Sequence, residues 1–309
     1  MKKLQLLLIV TVAFILTVSN ICYAQFGGGD GLTAATAYQI YTKEHLEELS
    51  DSIIYSPSNN NTTGRNWSRD KHFKVMNDIT ESLTKIIGWP ASWSSFQGHF
   101  DGQNYTITLD INDATFYYVG LFNCIYYGSI KNVVVTGSIN AINPYYNVGG
   151  IVGGIITGDS ASGDVRISNC VNNANVMLAD NYFHIAGAVG GIVGGIGVSG
   201  IRLVSNEVII ENCINIGSVK GFGTGGILGA SNVNIAGICI INNCVNYGLI
   251  AGDIWAGGIA GIIDNRITIS NCYNSGVVSG SGNVGCIVGN NAGGTVINCH
   301  YDMQTCGEE

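Results

Sequence analysis

The sequence predicts an all-β fold: a parallel β-solenoid (β-helix) of about six coils with a small α+β cap at the N-terminus. Three observations lead to this prediction: an excess of glycine, two short motifs that alternate along the chain, and short β-branched runs between turn residues. The 309 residues include 44 Gly, about twice the usual share, whereas 3 are Pro and 11% are charged. A hydrophobic fraction of 46% supports a buried core, so the composition excludes collagen and a disordered chain.

Residues 1–24 are predicted to be a signal peptide, which makes the protein secreted or displayed on the cell surface. Two lysines precede an apolar run from Leu4 to Val18, and the small residues Cys22 and Ala24 fit cleavage after Ala24. Lipidation of Cys22 is the alternative, but Ile21 stands where a small residue is expected. The apolar run is shorter than a membrane span, so we expect no transmembrane anchor after cleavage.

The charges argue against a nucleic-acid partner. Lys and Arg number 13 against 21 Asp and Glu, which gives a formal net charge of −8. Phosphate contacts need clustered basic residues, and this acidic balance does not supply them.

The first motif is a Gly-Gly unit with flanking aliphatic residues, as in Val148–Gly153. Self-similarity at a fixed period is the signature of a repeat architecture. Further copies are Val189–Gly194, Thr224–Gly229, Ala256–Gly261 and Val284–Gly289, and Val119–Phe122 is a degenerate first copy.

The second motif is Ile-x-Asn-Cys, which alternates with the first. Its cysteines, spaced 43, 31, 28 and 27 residues apart, are Cys170, Cys213, Cys244, Cys272 and Cys299. We expect Ile to point inward, Asn to occupy a bend where stacked amides hydrogen-bond along the column, and Cys to point inward as a small apolar side chain. Val133 in the Cys position of an earlier copy, Ile130–Val133, supports this interpretation.

Each repeat is predicted to contain three short strands, and the unit with the clearest pattern has them at Gly276–Ser279, Val284–Val288 and Thr295–Asn298. Three short strands cannot bury a face alone. Successive units stacked in parallel, about 4.8 Å apart, bury a continuous core.

The region before the repeats differs, and the chain is divided into a signal peptide (1–24), an N-terminal capping region (25–118) and the repeats (119–309). Thr42–Ile54 has leucines and isoleucines at helical spacing with acidic residues in its first turns, which predicts an α-helix. Phe73–Ile79 and Tyr105–Ile111 are predicted to be strands that help to shield the first coil.

The repeats resemble those of GLUG-motif proteins, whose core motif matches Gly149–Gly153 and its copies. The segment from Phe96 to Ile107 resembles the one that usually leads into such arrays, and the resemblance extends over about Phe73–Asp302. It implies an exported bacterial, adhesin-like protein with a right-handed β-helix.

Some GLUG repeats occur in IgA-cleaving metallopeptidases, outside the catalytic domain. This chain has no His-Glu-x-x-His zinc motif, and the nearest sequence, His45–Glu48, has no second His at the required spacing. Peptidase activity is therefore not inferred from the resemblance.

Nine cysteines remain after cleavage at Ala24, and an exported protein can form disulfides. The five cysteines of the second motif are interpreted as a core column of thiols; a disulfide stack or a metal site is the alternative. No Cys-x-x-Cys pair is present, and no metal or cofactor is predicted. Cys299 and Cys306 are close in sequence, and we predict that a disulfide between them clamps the C-terminal end.

Aromatic residues precede several Gly-Gly units and are predicted to form a column along one corner of the solenoid. The alternatives are a stacking surface for a ligand and a rim that folds over the core. The candidate ligand-binding residues are Tyr117, Tyr118, Tyr145, Tyr146, Tyr182, Phe183, Phe222 and Trp255.

The function predicted from the sequence is binding or adhesion without catalysis, with glycans or host matrix proteins as partners. Carboxylates are sparse in the repeats and show no pattern of a catalytic cluster. One alternative is a carbohydrate-active β-helix enzyme, either a polysaccharide lyase or a hydrolase. The other is a structural stalk or a fragment of a larger surface protein.

Overall fold

The computed structural model describes residues 26–56, 59, 65–89, 94–113, 118–142, 147–156, 163–179, 187–197, 207–231 and 237–306. These residues form a parallel β-solenoid of about seven turns with one α-helix, α1 (Lys43–Tyr55), which confirms the predicted fold class. The helix agrees with its predicted range to within one residue at each end.

Successive turns of the chain stack into three parallel sheets. Sheet 1 consists of β1 (Tyr38–Ile40), β2 (His72–Val75), β4 (His99–Asp101), β8 (Gly128–Lys131), β12 (Val165–Ser168), β17 (Glu207–Glu211), β21 (Ile238–Asn242), β25 (Ile267–Ser270) and β30 (Thr295–Ile297). Sheet 3 consists of β7 (Phe122–Ile125), β11 (Val152–Ile155), β16 (Val193–Ile196), β20 (Leu228–Ser231), β24 (Ala260–Asp264) and β29 (Val288–Ala292).

Sheet 2 is the largest, because most turns contribute two or three strands to it. Its strands are β3 (Ile79–Leu83), β5 (Thr106–Asp113), β6 (Tyr118–Val119), β9 (Val134–Ala141), β10 (Asn147–Gly149), β13 (Val171–Asn172), β14 (Asn175–Leu178), β15 (Ala188–Gly190), β18 (Ile214–Asn215), β19 (Val219–Gly225), β22 (Val245–Asn246), β23 (Ile250–Gly257), β26 (Tyr273–Asn274), β27 (Val278–Gly280), β28 (Asn283–Gly285) and β31 (His300–Tyr301). Like residues stack on like residues, as in the pairs Ile167 with Ile210 and Ile241 with Ile269.

The solenoid has about seven turns, whereas the repeats predicted about six. The sheets continue past the predicted boundary at residue 118, because β4 pairs with β8 and β5 pairs with β9 in continuous register. These first turns lack the Gly-Gly unit, so the repeat pattern could not reveal them. Helix α1 lies beside them and buries Leu46, Leu49 and Ile53.

The Gly-Gly unit forms a corner rather than the middle of a strand. The predicted strand Val284–Val288 divides into β28, in sheet 2, and β29, in sheet 3, with a bend between them. The second Gly of the unit is required by close packing: a Cβ on Gly191 would lie 2.2 Å from the carbonyl oxygen of Gly226 in the next turn. Backbones approach this closely only where no side chain intervenes.

The Asn of the second motif occupies a sharp bend, as predicted. Six equivalent residues have φ between 51° and 55°, namely Asn132, Asn169, Asn212, Asn243, Asn271 and Asn298. Asn tolerates this left-handed conformation better than most residues. The side chains also bond along the column, since Nδ2 of Asn169 donates to Oδ1 of Asn132 over 3.1 Å and Asn243 donates to Asn212 over 2.6 Å.

A second column of asparagines, two residues after each Cys, is fully buried and consists of Asn172, Asn215, Asn246 and Asn274. Each Nδ2 donates to the Oδ1 of the next, over 2.8, 2.7 and 2.7 Å. Each Nδ2 also donates to the carbonyl oxygen two residues later in its own turn. This buried amide ladder satisfies polar groups inside the core, where an unpaired amide would be costly.

Candidate functional site

The thiol column lies in the core of the solenoid. Cys170, Cys213, Cys244 and Cys272 are buried free thiols, and Cys299 at the C-terminal end is half-buried. Each Sγ contacts the carbonyl oxygen two residues before it, at 3.2 to 3.4 Å. The column therefore packs as small core side chains that also make weak hydrogen bonds.

Burial raises the pKa of Cys170 and Cys244 well above that of an exposed thiol. The same is true of Cys124, a buried free thiol in sheet 3. Thiolate is the reactive form of cysteine, so these buried side chains are poor nucleophiles at neutral pH.

The predicted disulfide between Cys299 and Cys306 is wrong, because Cys306 is bonded to Cys286. Cys299 lies at the end of the thiol column, facing the core. Cys286 stands at the corner, in the position that Gly258 occupies one turn earlier, and its side chain reaches the C-terminal tail.

The predicted aromatic corner is only partly assembled among the described residues. Phe222 and Trp255, both half-buried, pack edge to face with ring centroids 5.6 Å apart. Tyr118 lies in the same register column as Trp255 but is buried, and Asn147, Ala188 and Gly223 separate the two. The other candidates, Tyr117, Tyr145, Tyr146, Tyr182 and Phe183, lie outside the described residues.

A different cluster stands out on the outer face of sheet 1, near the N-terminal end, and we name it the histidine patch: Arg69, His72, His99, Tyr127 and Ser129. His72, His99 and Ser129 are aligned across three neighbouring strands, β2, β4 and β8. The imidazole rings of His72 and His99 stack with centroids 4.6 Å apart, and Nδ1 of His99 lies 3.0 Å from Oγ of Ser129.

The aromatic ring of Tyr127 contacts both Arg69 and His99 in the histidine patch. Cζ of Arg69 lies 3.8 Å from the centre of the Tyr127 ring, which is a cation–π contact, and the Tyr127 and His99 rings meet edge to face at 6.2 Å. Burial raises the pKa of Tyr127, and the neighbouring Asp70 carboxylate adds to the effect. Burial lowers the pKa of His99, and His72 lowers it further, so the His99 imidazole is neutral at pH 7.

Two carboxylates on this face are held in ion pairs. Asp101 pairs with Lys131, and Glu211 pairs with Arg166. Burial opposes the ionisation of Asp101, but hydrogen bonds from Asn132 and the Gln103 backbone, together with Lys131, hold its pKa below the ordinary value. An ionised, paired carboxylate is a poor general acid, the group that glycoside hydrolysis requires.

The sequence contains a signal for the histidine patch that lies outside the two repeat motifs. A His-Phe pair occurs at His72 and again at His99, 27 residues later, which is the spacing of the last repeats. Alternation in β2 and β4 buries Phe73 and Phe100 and turns the histidines outward.

Two further observations concern metals and membranes. No group of three or more His, Cys, Asp or Glu side chains suited to a metal ion occurs among the residues that the structure describes. Within the same part of the chain, no helix has the length and apolar character needed to cross a membrane.

Comparisons with known proteins show a similarity of fold. The fold is similar to that of a protein from Bacteroides ovatus whose crystal structure is titled "putative immunoglobulin A1 protease". The two share 22% identity with a TM-score of 0.66, and the match covers 90% of this chain and 78% of the other. No family model and no curated protein matches the chain. At this identity the likeness shows a shared β-solenoid fold.

Proposed function

We propose that this chain is an exported, GLUG-type binding protein that contacts a glycan or protein ligand through the histidine patch. The observation that carries the proposal is the convergence of Arg69, His72, His99 and Tyr127 on one outer face, in cation–π, stacked and edge-to-face contacts of 3.8 to 6.2 Å. Arg and Tyr dominate the energetics of many binding surfaces, because they combine a large apolar area with directional hydrogen bonds. The ion-paired carboxylates nearby favour binding over catalysis on sugars.

The test is a binding array of glycans and matrix proteins, probed with the mature chain. We expect at least one ligand whose affinity falls about 30-fold in Arg69→Ala, the loss of a hot-spot residue of about 2 kcal/mol. Tyr247→Ala is the matched control, since Tyr247 is an exposed aromatic residue elsewhere on the solenoid. Unchanged affinity in Arg69→Ala would refute the assignment to the histidine patch, and a loss in Trp255→Ala would move the ligand to the aromatic corner.

A second candidate function, hydrolysis through a serine nucleophile, is favoured by one contact. Nδ1 of the neutral His99 lies within hydrogen-bonding distance of Oγ of Ser129, which is the pairing of a base with a nucleophile. A screen of ester, peptide and polysaccharide substrates tests it. Hydrolysis that is abolished in Ser129→Ala supports this function, and a wild-type chain that cleaves none of them leaves binding as the function of the patch.

A further inference from the structure

The last turn of the solenoid presents an apolar face at the C-terminal end. Val284, Val296 and Tyr301 are exposed by 45%, 39% and 46%, whereas the residues stacked on the first two in the preceding turn, Ala256 and Ile269, are fully buried. We name the outward side of Asn283–Cys306 the end face.

Among the residues that the structure describes, the end face also carries unpaired strand edges. β29, β30 and β31 each pair with one neighbour, and each is the terminal strand of its path in the sheet order. Exposed edges template association with another chain, and soluble proteins usually protect them with charged residues, especially lysine. Residues 267–301 contain no Asp, Glu, Lys or Arg. Asp302, which follows β31, is the one Asp, Glu, Lys or Arg in Asn283–Cys306, so the strands of the end face lack the charges that would keep a second apolar edge away.

The opposite end of the solenoid is closed. Helix α1 buries Leu46, Leu49 and Ile53 against the first turns. Phe26 stacks on Trp67 with ring centroids 6.0 Å apart, and Lys71 lies 5.1 Å from the centre of the Trp67 ring. The edge of β1 is bonded to the preceding chain, since the Gly27 amide donates to the carbonyl oxygen of Gln39 over 2.8 Å and the Gln39 amide donates to that of Gly28 over 2.9 Å, and α1 contacts β3. A head-to-tail contact between two copies would therefore meet strands that are already covered.

The end face is held in shape by covalent and hydrogen bonds. The Cys286–Cys306 disulfide attaches the tail to the last turn, and Cys306 is buried. The Asp302 amide donates to the carbonyl oxygen of Asn274 over 2.9 Å, and the Cys306 amide donates to the carbonyl oxygen of Asp302 over 3.0 Å. A preorganised surface loses little conformational entropy on association.

We propose that the end face binds the end face of a second copy of this chain, so that two solenoids join C-terminus to C-terminus around a two-fold axis. Identical patches that meet around such an axis form an isologous interface, which closes at a dimer. Like strand edges then meet antiparallel, and their free N–H and C=O groups pair. The absence of charged residues in 267–301 leaves the strand edges without electrostatic repulsion, although Asp302 adjoins β31 and the protein as a whole is acidic.

The test compares the mass in solution of the mature chain with that of two variants. Val284→Lys places a charge on the end face. Val277→Lys is the matched control, because Val277 is exposed by 47%, against 45% for Val284, but lies outside Asn283–Cys306. Leu249, which is aligned with Val277 one turn earlier, is also exposed, so this position faces solvent at the side of the solenoid. Light scattering after gel filtration, over a range of concentrations, gives the mass of each.

We expect the wild-type chain and Val277→Lys to have twice the chain mass, and Val284→Lys to have a dissociation constant at least 10-fold higher. Circular dichroism of Val284→Lys checks that the coil is folded, and Val296→Lys provides a second substitution on the same face. A wild-type monomer at all concentrations would overturn the proposal. Open-ended polymers would also overturn it, because a two-fold interface cannot propagate.

Discussion

Substitution of Asn215 by Ala tests whether the buried amide ladder stabilises the solenoid. The side chain of Asn215 is fully buried and makes three hydrogen bonds: it accepts from Asn172 over 2.8 Å and donates to Gly217 over 2.9 Å and to Asn246 over 2.7 Å. A net value of about 1 kcal/mol per bond gives about 3 kcal/mol, to which the desolvated carbonyl oxygen of Gly217 adds about 1 kcal/mol or more. We expect Asn215→Ala to lower the free energy of unfolding by about 4 kcal/mol.

Urea unfolding followed by far-UV circular dichroism measures this loss, and amide hydrogen exchange locates it. Asn212→Gly is the control, because Asn212 lies in the outer column with φ of 53°, a conformation that glycine adopts without strain. It accepts one hydrogen bond, from Asn243, in an exposed position, so its removal costs less than about 1 kcal/mol. Equal losses in the two variants would refute the role of the buried ladder.

Asn215→Asp tests the ladder in a second way, because it replaces the NH2 group that donates both hydrogen bonds by an oxygen that only accepts. A carboxylate cannot donate, and its oxygens would face the acceptor oxygens of Gly217 and Asn246, which now receive Nδ2. We expect this variant to be less stable than Asn215→Ala at pH 7. Burial raises the pKa of such a carboxyl in the folded chain, so the deficit should shrink as the pH falls through that pKa and the neutral acid forms.

Three further predictions follow from the packing, the disulfide and the titration of the histidine patch. Gly191→Ala should prevent stable folding, because its Cβ would lie 2.2 Å from a backbone oxygen, whereas Gly223→Ala should fold, because the atom nearest to its Cβ is 3.6 Å away. Soluble yield and thermal unfolding compare the two variants, and equal stability would contradict the close packing at Gly191. Cys306→Ser removes the disulfide to Cys286, which closes a loop with a sequence separation of 20, and should destabilise the last turn by about 3 kcal/mol. Hydrogen exchange of residues 283–306 measures this loss, and unchanged protection would contradict it. His99 has a lowered pKa in the folded chain, so stability should be constant above about pH 6.5, decline as the pH falls from there to the folded pKa, and level off below it. Urea midpoints measured against pH should lose this decline in His99→Phe, and an identical pH profile would contradict the linkage.

Periodic features of the chain could be predicted from sequence, and the structure bears them out. The Gly-Gly and Ile-x-Asn-Cys motifs indicated stacked turns, and the spacing of Leu46, Leu49 and Ile53 indicated the helix that buries them. Such features are readable because identical contacts recur in each turn, so the same residue type is required at the same position many times.

Features that occur once, or that depend on contacts between turns, could not be predicted from the sequence in this way. The recurrence of Asn two residues after each Cys was visible, but its role depends on donors and acceptors that meet only when turns stack. His72 and His99 of the histidine patch lie in turns that lack the Gly-Gly unit. Its residues come together because β2, β4 and β8 are neighbours in sheet 1, an order that local sequence does not encode.

The disulfide shows how a departure from the repeat carries structural information of its own. In the inner turns the second Gly of the corner packs against the buried ladder: a Cβ on Gly258 would lie 2.3 Å from Cγ of Asn274. A larger residue at the corner therefore requires that the Asn of the same turn be absent. The last turn meets this requirement with two coupled changes, since Cys286 stands in the Gly column and Tyr301, which pairs with Asn274, stands in the Asn column. The buried amide ladder therefore ends at Asn274, where the corner Gly of the following turn is replaced by Cys286. In the last turn the disulfide between Cys286 and Cys306 holds the chain in place instead.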